Sequence, residues 1–136
     1  MAQAFFGGVH PHDMKAATNE KAIEQLAPPA EVVIPMSMHF GAPCTPLVKA
    51  GDLVKVGQKI GDTDAFLHVP VHASVSGKVT GIETQRNAMG GMDTMVVIES
   101  DGQQTMDPEI KPPVVTNHKE FVEAVKESGL VGLGGA

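Results

Sequence analysis

Two pairs of histidines are the side chains of this sequence best suited to binding a metal ion. His68 and His72 lie within one apolar stretch, and His10 and His12 flank a proline near the N-terminus. In a strand, residues 68 and 72 share a face, but a rise of ~3.3 Å per residue separates them by about 13 Å. Two imidazoles that far apart cannot bind one ion, and His10 and His12 lack an evident third ligand. We therefore predict no metal site and expect His68 and His72 to face solvent or a partner. The opposite, core-facing positions are Val69, Val71, Ala73 and Val75.

Nucleophilic and acid–base chemistry finds little support in the sequence. Cys44 stands between Pro43 and Thr45 with no basic neighbour, which favours a structural thiol over a nucleophile. Asp62 and Asp64 share a turn, where acidic residues are common. No spacing of serine, histidine and aspartate indicates a catalytic triad. We therefore expect this chain by itself to lack a catalytic site.

The most specific pattern is that of a carrier-like hairpin. It resembles the two halves of the hammerhead, or barrel-sandwich hybrid, of biotinyl and lipoyl domains; a generic β-sandwich is the alternative. Val54, Ile60, Val75 and Val79 would build the barrel core, with glycines at its corners. A carrier needs a lysine at the exposed hairpin tip, yet residues 61–76 contain none. We predict the fold without a lipoyl or biotinyl lysine. The two halves read Gly51-Asp52-x-Val54-x-x-Gly57-Gln58-x-Ile60 and Ala73-x-Val75-Ser76-Gly77-x-Val79, and Lys59 and Lys78 flank only the base of the hairpin.

Short strands and glycine turns must position these residues, so we predict a mainly β fold with an extended N-terminal arm and one C-terminal helix. Asn117 is the expected helix cap, Glu120 its capping-box partner, and Gly129 the end. The best strands are residues 67–75, 78–83 and 94–99, with a shorter one at 32–34, and a short helix at most is expected within 16–26. The apolar stripe of the C-terminal helix is Phe121, Val122 and Val125. The predicted parts are an arm (1–30) expected to wrap the core or a partner, a barrel (31–106), a linker (107–116), and a helix with the glycine-rich start of a following domain (117–136).

Composition limits the classes of partner. The net charge is −6, which argues against nucleic acid because phosphate binding needs clustered basic residues. The N-terminus lacks the basic start and apolar run of a signal peptide, and no window approaches the ~18 apolar residues of a membrane span. One cysteine fits a reducing compartment. We expect a cytoplasmic protein that reaches a membrane only through partners.

Phrases along nearly the whole chain resemble the N-terminal part of RnfC, a subunit of the Rnf electron-transport complex. The glycine-rich end is among them, because Gly132, Gly134 and Gly135 match the beginning of a loop of the type GxGGAGFPT; such loops bring backbone N–H groups close to phosphates. The other phrases are Phe6-Gly7-Gly8-Val9-His10-Pro11, Val33-Ile34-Pro35, His39-Phe40-Gly41-Ala42-Pro43, Val71-His72-Ala73-x-Val75-Ser76-Gly77 and Val97-Ile98-Glu99-x-Asp101-Gly102.

The resemblance implies a peripheral subunit on the cytoplasmic side of an ion-translocating ferredoxin–NAD oxidoreductase. Its following domains would bind FMN, NADH and two [4Fe–4S] clusters. The matching loop stops half-way, and Cys44 alone cannot hold a cluster, so no cofactor is expected in this chain. We expect a docking role towards other Rnf subunits and towards the flavin and iron–sulfur domains of the same polypeptide. The expected contact residues are His10, Asp64, Phe66, His68 and His72.

Two alternatives share this module. One is a related redox protein, either the A-type subunit of a sodium-pumping NADH–quinone reductase or a cobalamin reductase of a microcompartment. The other is a free-standing, degenerate biotinyl- or lipoyl-like adaptor. The GGVHP phrase favours the Rnf family over the first, and the glycine-rich end argues against the second.

Overall fold

Two antiparallel sheets form the body of the protein in a computed structural model that describes residues 11–87 and 89–132. One sheet has the strand order β1-β7-β6-β3 and the other the order β2-β4-β5. The strands are β1 (Glu31–Pro35), β2 (Thr45–Pro46), β3 (Leu53–Val54), β4 (Lys59–Asp62), β5 (Val71–His72), β6 (Gly77–Arg86) and β7 (Met92–Ser100), and the helix is α1 (His118–Glu127). The mainly β architecture with one C-terminal helix is as predicted.

The core lies between the two sheets and consists of aliphatic side chains with Met36 and Cys44. The four residues assigned to the core from the hairpin pattern, Val54, Ile60, Val75 and Val79, are all buried, which confirms that assignment. Burial of such aliphatic side chains is the main source of stability in a domain of this size. The flattened barrel is therefore stabilised mainly by the apolar core between its own two sheets.

Two matching turns give the barrel its corners. In the first, the backbone N–H of Lys49 donates to the Asp52 carboxylate at 3.0 Å; in the second, that of Lys55 donates to the Gln58 side-chain oxygen at 3.1 Å. The glycine of each turn then donates its N–H across the barrel, Gly51 to Val79 O and Gly57 to Ala73 O, both at 2.8 Å. The near-repeat of Val48-Lys49-Ala50-Gly51 in Val54-Lys55-Val56-Gly57 thus corresponds to two turns with the same hydrogen-bond pattern.

The segment predicted as a strand over residues 67–75 is mostly irregular, and that prediction was wrong. Only Val71 and His72 are in a strand. The backbone oxygens of this segment bond to separate places instead: Leu67 O accepts from the Ala42 N–H, and Ala73 O from the Gly57 N–H. Because Leu67 bonds to Ala42 while Ala73 bonds beside the start of β4, one continuous ladder does not run along residues 67–75. The other two main strands exist and are longer than predicted, as β6 and β7.

The arm and the helix lie outside the barrel core. Residues 11–30 are exposed throughout, and the short helix expected there is one 3-10 turn, Lys15–Ala17. In α1, Asn117 Oδ1 accepts from the Glu120 N–H at 3.0 Å, as predicted. The predicted capping box is incomplete, because the Glu120 carboxylate accepts from the backbone N–H and hydroxyl of Thr116. Phe121 and Val122 of the expected apolar stripe are exposed.

Candidate interaction surface

The loop between β4 and β5, residues 63–70, occupies the place where a carrier domain would present its lysine. The His68 ring turns into this loop: its Nδ1 donates to the carbonyl of Ala65, and its Nε2 lies 3.3 Å from Asp62 Oδ1. The His68 side chain is therefore only 9% exposed. His68 was expected to face solvent or a partner; its ring instead bonds to its own loop, which corrects the solvent-facing alternative, while the partner alternative stays a prediction.

Lys59, at the base of the same hairpin, joins β4 to the C-terminal helix. Its ammonium lies 2.9 Å from Asp62 Oδ2 and 2.6 Å from Glu127 Oε2. Burial opposes the charged form, but hydrogen bonds to Glu127 and Asp62 outweigh it and raise the pKa of Lys59. Burial likewise opposes ionisation of Asp62, yet the bond from Lys59 lowers the pKa of that carboxyl. This lysine is a structural clamp between two elements.

His72 lies under the end of α1 and is half-buried, which also corrects the solvent-facing expectation for this residue. Burial, together with the nearby Lys59 charge, lowers the pKa of His72. The chain leaves α1 through Gly129, whose φ of +75° favours glycine. A Cβ at this position would lie 2.9 Å from His72 Nδ1 and 3.1 Å from Pro70 O. The chain after the helix therefore passes tightly against the barrel.

An apolar groove of about 580 Å³ opens beside this crossing. We call it the 40/67/130 groove. Several of its apolar side chains are exposed, among them Phe40 at 73% and Leu130 at 66%. A stable soluble domain exposes large apolar side chains singly more often than in a cluster around one concavity. The groove is lined by Ser37, Met38, His39, Phe40, Leu67, Val69, Leu130, Val131 and Gly132.

Hydrogen bonds to backbone carbonyls hold the walls of the groove in place. The Ala42 N–H donates to Leu67 O at 3.0 Å, and His39 Nε2 donates to Ala42 O at 2.9 Å. The Cys44 thiol donates to Val69 O at 3.2 Å. A Cβ on Gly41 would lie 2.3 Å from Leu67 O, so the first wall approaches the second as closely as its backbone permits. The groove is thus a built feature of the fold.

The residues singled out in the sequence do not converge on one site. Asp64 and Phe66 are exposed on the 63–70 loop, and Gly132 is exposed in the groove. His10, Gly134 and Gly135 lie outside the described residues. Within the part of the chain that is described, no cluster of His, Cys, Asp and Glu side chains suits a metal, and no helix is long and apolar enough to cross a bilayer. The interaction role assigned to these positions stays a prediction.

Sequence reasoning missed the groove residues Met38, Leu130 and Val131. Phe40 stood in a phrase that carried the family resemblance, but nothing marked it as exposed. The only signal was an aromatic residue next to Gly41 in a stretch without strand alternation. Exposure of an apolar side chain depends on what the fold brings opposite it, and a single sequence does not contain that information.

The fold and its hairpin define a class: a barrel-sandwich hybrid whose β4–β5 loop carries no lysine for a swinging cofactor. The family model described as the RnfC barrel sandwich hybrid domain matches residues 3–103, and the chain belongs to this family. The predicted fold class and the predicted family are both confirmed.

Characterised relatives extend the similarity beyond the barrel. The chain is 48% identical to the C-type subunit of a Na⁺-translocating ferredoxin:NAD⁺ oxidoreductase complex from Acetobacterium woodii, over 97% of its own length and 30% of that protein. It is 41% identical to the C-type subunit of a proton-translocating ferredoxin:NAD⁺ oxidoreductase complex from Clostridium ljungdahlii, over 100% and 30%. For the C-type subunit of an ion-translocating oxidoreductase complex from Rhodobacter capsulatus, the identity is 34%, over 96% and 26%. The chain thus spans less than a third of these relatives.

Proposed function

We propose that this chain is the non-catalytic docking domain of the RnfC-type subunit in an ion-translocating ferredoxin–NAD oxidoreductase complex. The observation that carries the proposal is the hairpin. The barrel core is buried, while the place of a carrier lysine is taken by a lysine-free loop into which the His68 ring is turned. Lys59, the nearest amine along the chain, is engaged by Asp62 and Glu127. A barrel that keeps its architecture without carrier chemistry suits a role in holding other parts together.

The redox chemistry of such a complex belongs to other parts of the assembly. FMN, NADH and two [4Fe–4S] clusters would be bound by later domains of the same polypeptide, and Gly132 would stand at the entry to the first of them. The domain would sit on the cytoplasmic face of the membrane, attached through partner subunits. The names of the relatives support assignment to a complex of this kind.

The arm, residues 1–30, is the proposed contact with a partner subunit. Its described part, residues 11–30, is exposed at every position, which leaves its side chains available for another surface. Its link to the barrel is a bond from the Ser100 N–H to Ala30 O at 2.9 Å. Asp64 and Phe66, exposed on the 63–70 loop, are proposed as a second contact.

Co-purification tests this proposal. A full-length RnfC-type protein that carries this sequence is expressed with the other subunits, either intact or without residues 1–30, and the recovered complex is quantified. We expect the deletion to reduce recovery strongly while the barrel keeps its urea midpoint. A matched pair, Phe66→Ser and Phe121→Ser, compares two exposed phenylalanines on different elements. Normal assembly of both the deletion and Phe66→Ser would refute the docking role.

Intact mass spectrometry tests the proposal that this domain carries no lipoyl or biotinyl group. Protein isolated from its native host should have the mass of the unmodified chain, since residues 61–76 offer no lysine to a lipoyl or biotinyl ligase. A mass increase that matches either cofactor would contradict the non-carrier assignment. A point mutant, Lys59→Arg, identifies the modified residue in that event.

A further inference from the structure

We propose that the 40/67/130 groove is the seat of the remainder of the same polypeptide, the part that continues beyond this domain in the longer relatives. This inference rests on the proposed function, because it names the face through which the domain would hold the rest of the RnfC-type protein. It assigns to Met38, Phe40, Leu67 and Leu130 an intramolecular interface.

The position of the groove favours an occupant on the same chain. One of its walls is formed by Leu130, Val131 and Gly132, the segment that follows α1. The backbone at Gly129 passes close to His72 and Pro70, and residues 130–132, the last that the structure describes, lie along the groove. Such a tether raises the local concentration of the following segment far above that of any separate partner.

The lengths of the relatives supply such an occupant. The matched segment is 30% of the Acetobacterium woodii protein and 26% of the Rhodobacter capsulatus protein. Most of each polypeptide therefore lies outside the match and must pack somewhere. A groove with exposed apolar walls lies beside the point of departure and is available to such a segment.

The chemistry of the groove fits a permanent, apolar contact. Its lining contains no Asp, Glu, Lys or Arg; the polar members are Ser37, His39 and the glycine backbone. Surfaces that capture separate partners by electrostatic steering carry charges, whereas permanent interfaces resemble a domain core. Phe40 and Leu67 on facing, hydrogen-bonded walls provide an aromatic and an aliphatic anchor for an apolar segment.

Site-specific photo-crosslinking tests the proposal in an isolated full-length RnfC-type protein that carries this sequence. The photoreactive residue p-benzoylphenylalanine replaces Phe40 in one protein and Phe66 in the control. Phe66 is a phenylalanine with a fully exposed side chain outside the groove. Equal amounts of unlabelled and ¹⁵N-labelled protein are mixed before irradiation, so that crosslinks within one chain are isotopically pure.

We expect position 40 to capture peptides that follow residue 136 within the same chain, several-fold more often than position 66 does. Isotopically mixed crosslinks would assign the groove to a second copy and overturn the proposal. Capture at position 40 no greater than at position 66 would overturn the proposal as well. The irradiation is then repeated on the whole complex. If a crosslink to another protein replaces the intrachain crosslink there, the proposal is also overturned. Because the isolated protein has no partners present, failure of this test is distinguishable from failure of the co-purification test, which measures contacts with the other subunits.

Discussion

Replacing Ser76 by alanine removes a buried hydroxyl that ties the barrel to the turn after β7. Ser76 is 1% exposed, and its hydroxyl donates to Asp101 Oδ1 at 2.6 Å. The Ser76 hydroxyl oxygen also accepts from the Thr105 N–H at 2.9 Å. The mutation therefore deletes two hydrogen bonds at once while leaving the aliphatic core unchanged.

The expected cost follows from these two bonds. A hydrogen bond within a folded protein contributes about 0.5–1.5 kcal/mol net, so the loss of two at a buried hydroxyl should lower the free energy of unfolding by about 2 kcal/mol. Both partners are near the surface and can bind water after the mutation, which argues against the larger penalties of stranded buried groups. For a chain of 136 residues this corresponds to a fall in melting temperature of roughly 5–8 °C.

Urea unfolding of the wild type, Ser76→Ala and the control Ser74→Ala measures this cost. Ser74 lies on the same segment but is exposed. We expect a lower midpoint with an unchanged urea dependence for Ser76→Ala, and almost no change for Ser74→Ala. If the free energies of unfolding of the two variants lie within about 0.5 kcal/mol of each other, the two hydrogen bonds of the hydroxyl do not stabilise the barrel.

The pH dependence of the free energy of unfolding provides a second test of the Ser76–Asp101 hydrogen bond. The hydrogen bond from Ser76, followed by that from the Gln103 N–H, lowers the pKa of Asp101. A carboxyl with a lowered folded-state pKa stabilises the protein above its unfolded pKa, near pH 4, and this stabilisation is lost as the pH falls through the folded value. The stability gap between wild type and Ser76→Ala should therefore narrow below about pH 4. A constant gap from pH 7 to pH 3 would refute the proposed link.

Three further measurements test other contacts. Gly77→Ala should lower the free energy of unfolding at least twice as much as Gly51→Ala, for which ~1–2 kcal/mol is expected. A Cβ on Gly77 would lie 2.0 Å from a backbone oxygen of β7, whereas a Cβ on Gly51 would have nothing within 4 Å. Equal urea midpoints of the two variants would contradict this. Lys59→Met should speed amide hydrogen exchange in α1. It should lower the free energy of unfolding by only ~0.2–1 kcal/mol, because the ion pairs of Lys59 are partly exposed. Exchange no faster than in the control Lys55→Met would argue against Lys59 as a clamp. Cys44 should react slowly with Ellman's reagent until urea unfolds the chain, because burial raises the pKa of its thiol; rapid reaction of the folded protein would oppose this.

The barrel could be predicted from sequence because its signals are local. The turn glycines Gly51 and Gly57, the inward Val54 and Ile60, and the cap at Asn117 depend on residues a few positions away. All of these features are present in the structure. Their type and spacing were sufficient because each acts through its own turn, strand or helix end.

The surface could not be predicted in the same way. Alternation suggested that His68 and His72 face solvent, but Asp62 and the Ala65 carbonyl bind one ring, and the end of α1 covers the other. These contacts join positions far apart in the sequence or depend on an irregular backbone. The 40/67/130 groove escaped prediction for the same reason, since its three walls come from three separate parts of the chain.

The pairing of β1 with β7 has a consequence for the order in which the protein is made. Among the strands that the structure describes, β1 emerges from the ribosome first and its partner β7 last, and Glu31 at the start of β1 pairs with Glu99 near the end of β7. The hairpin of β6 and β7 can form as soon as both strands are synthesised, whereas β1 must wait unpaired until then. During that interval its edge is exposed to other nascent chains, so a partner that bound the arm early would also shield β1 until the barrel closed.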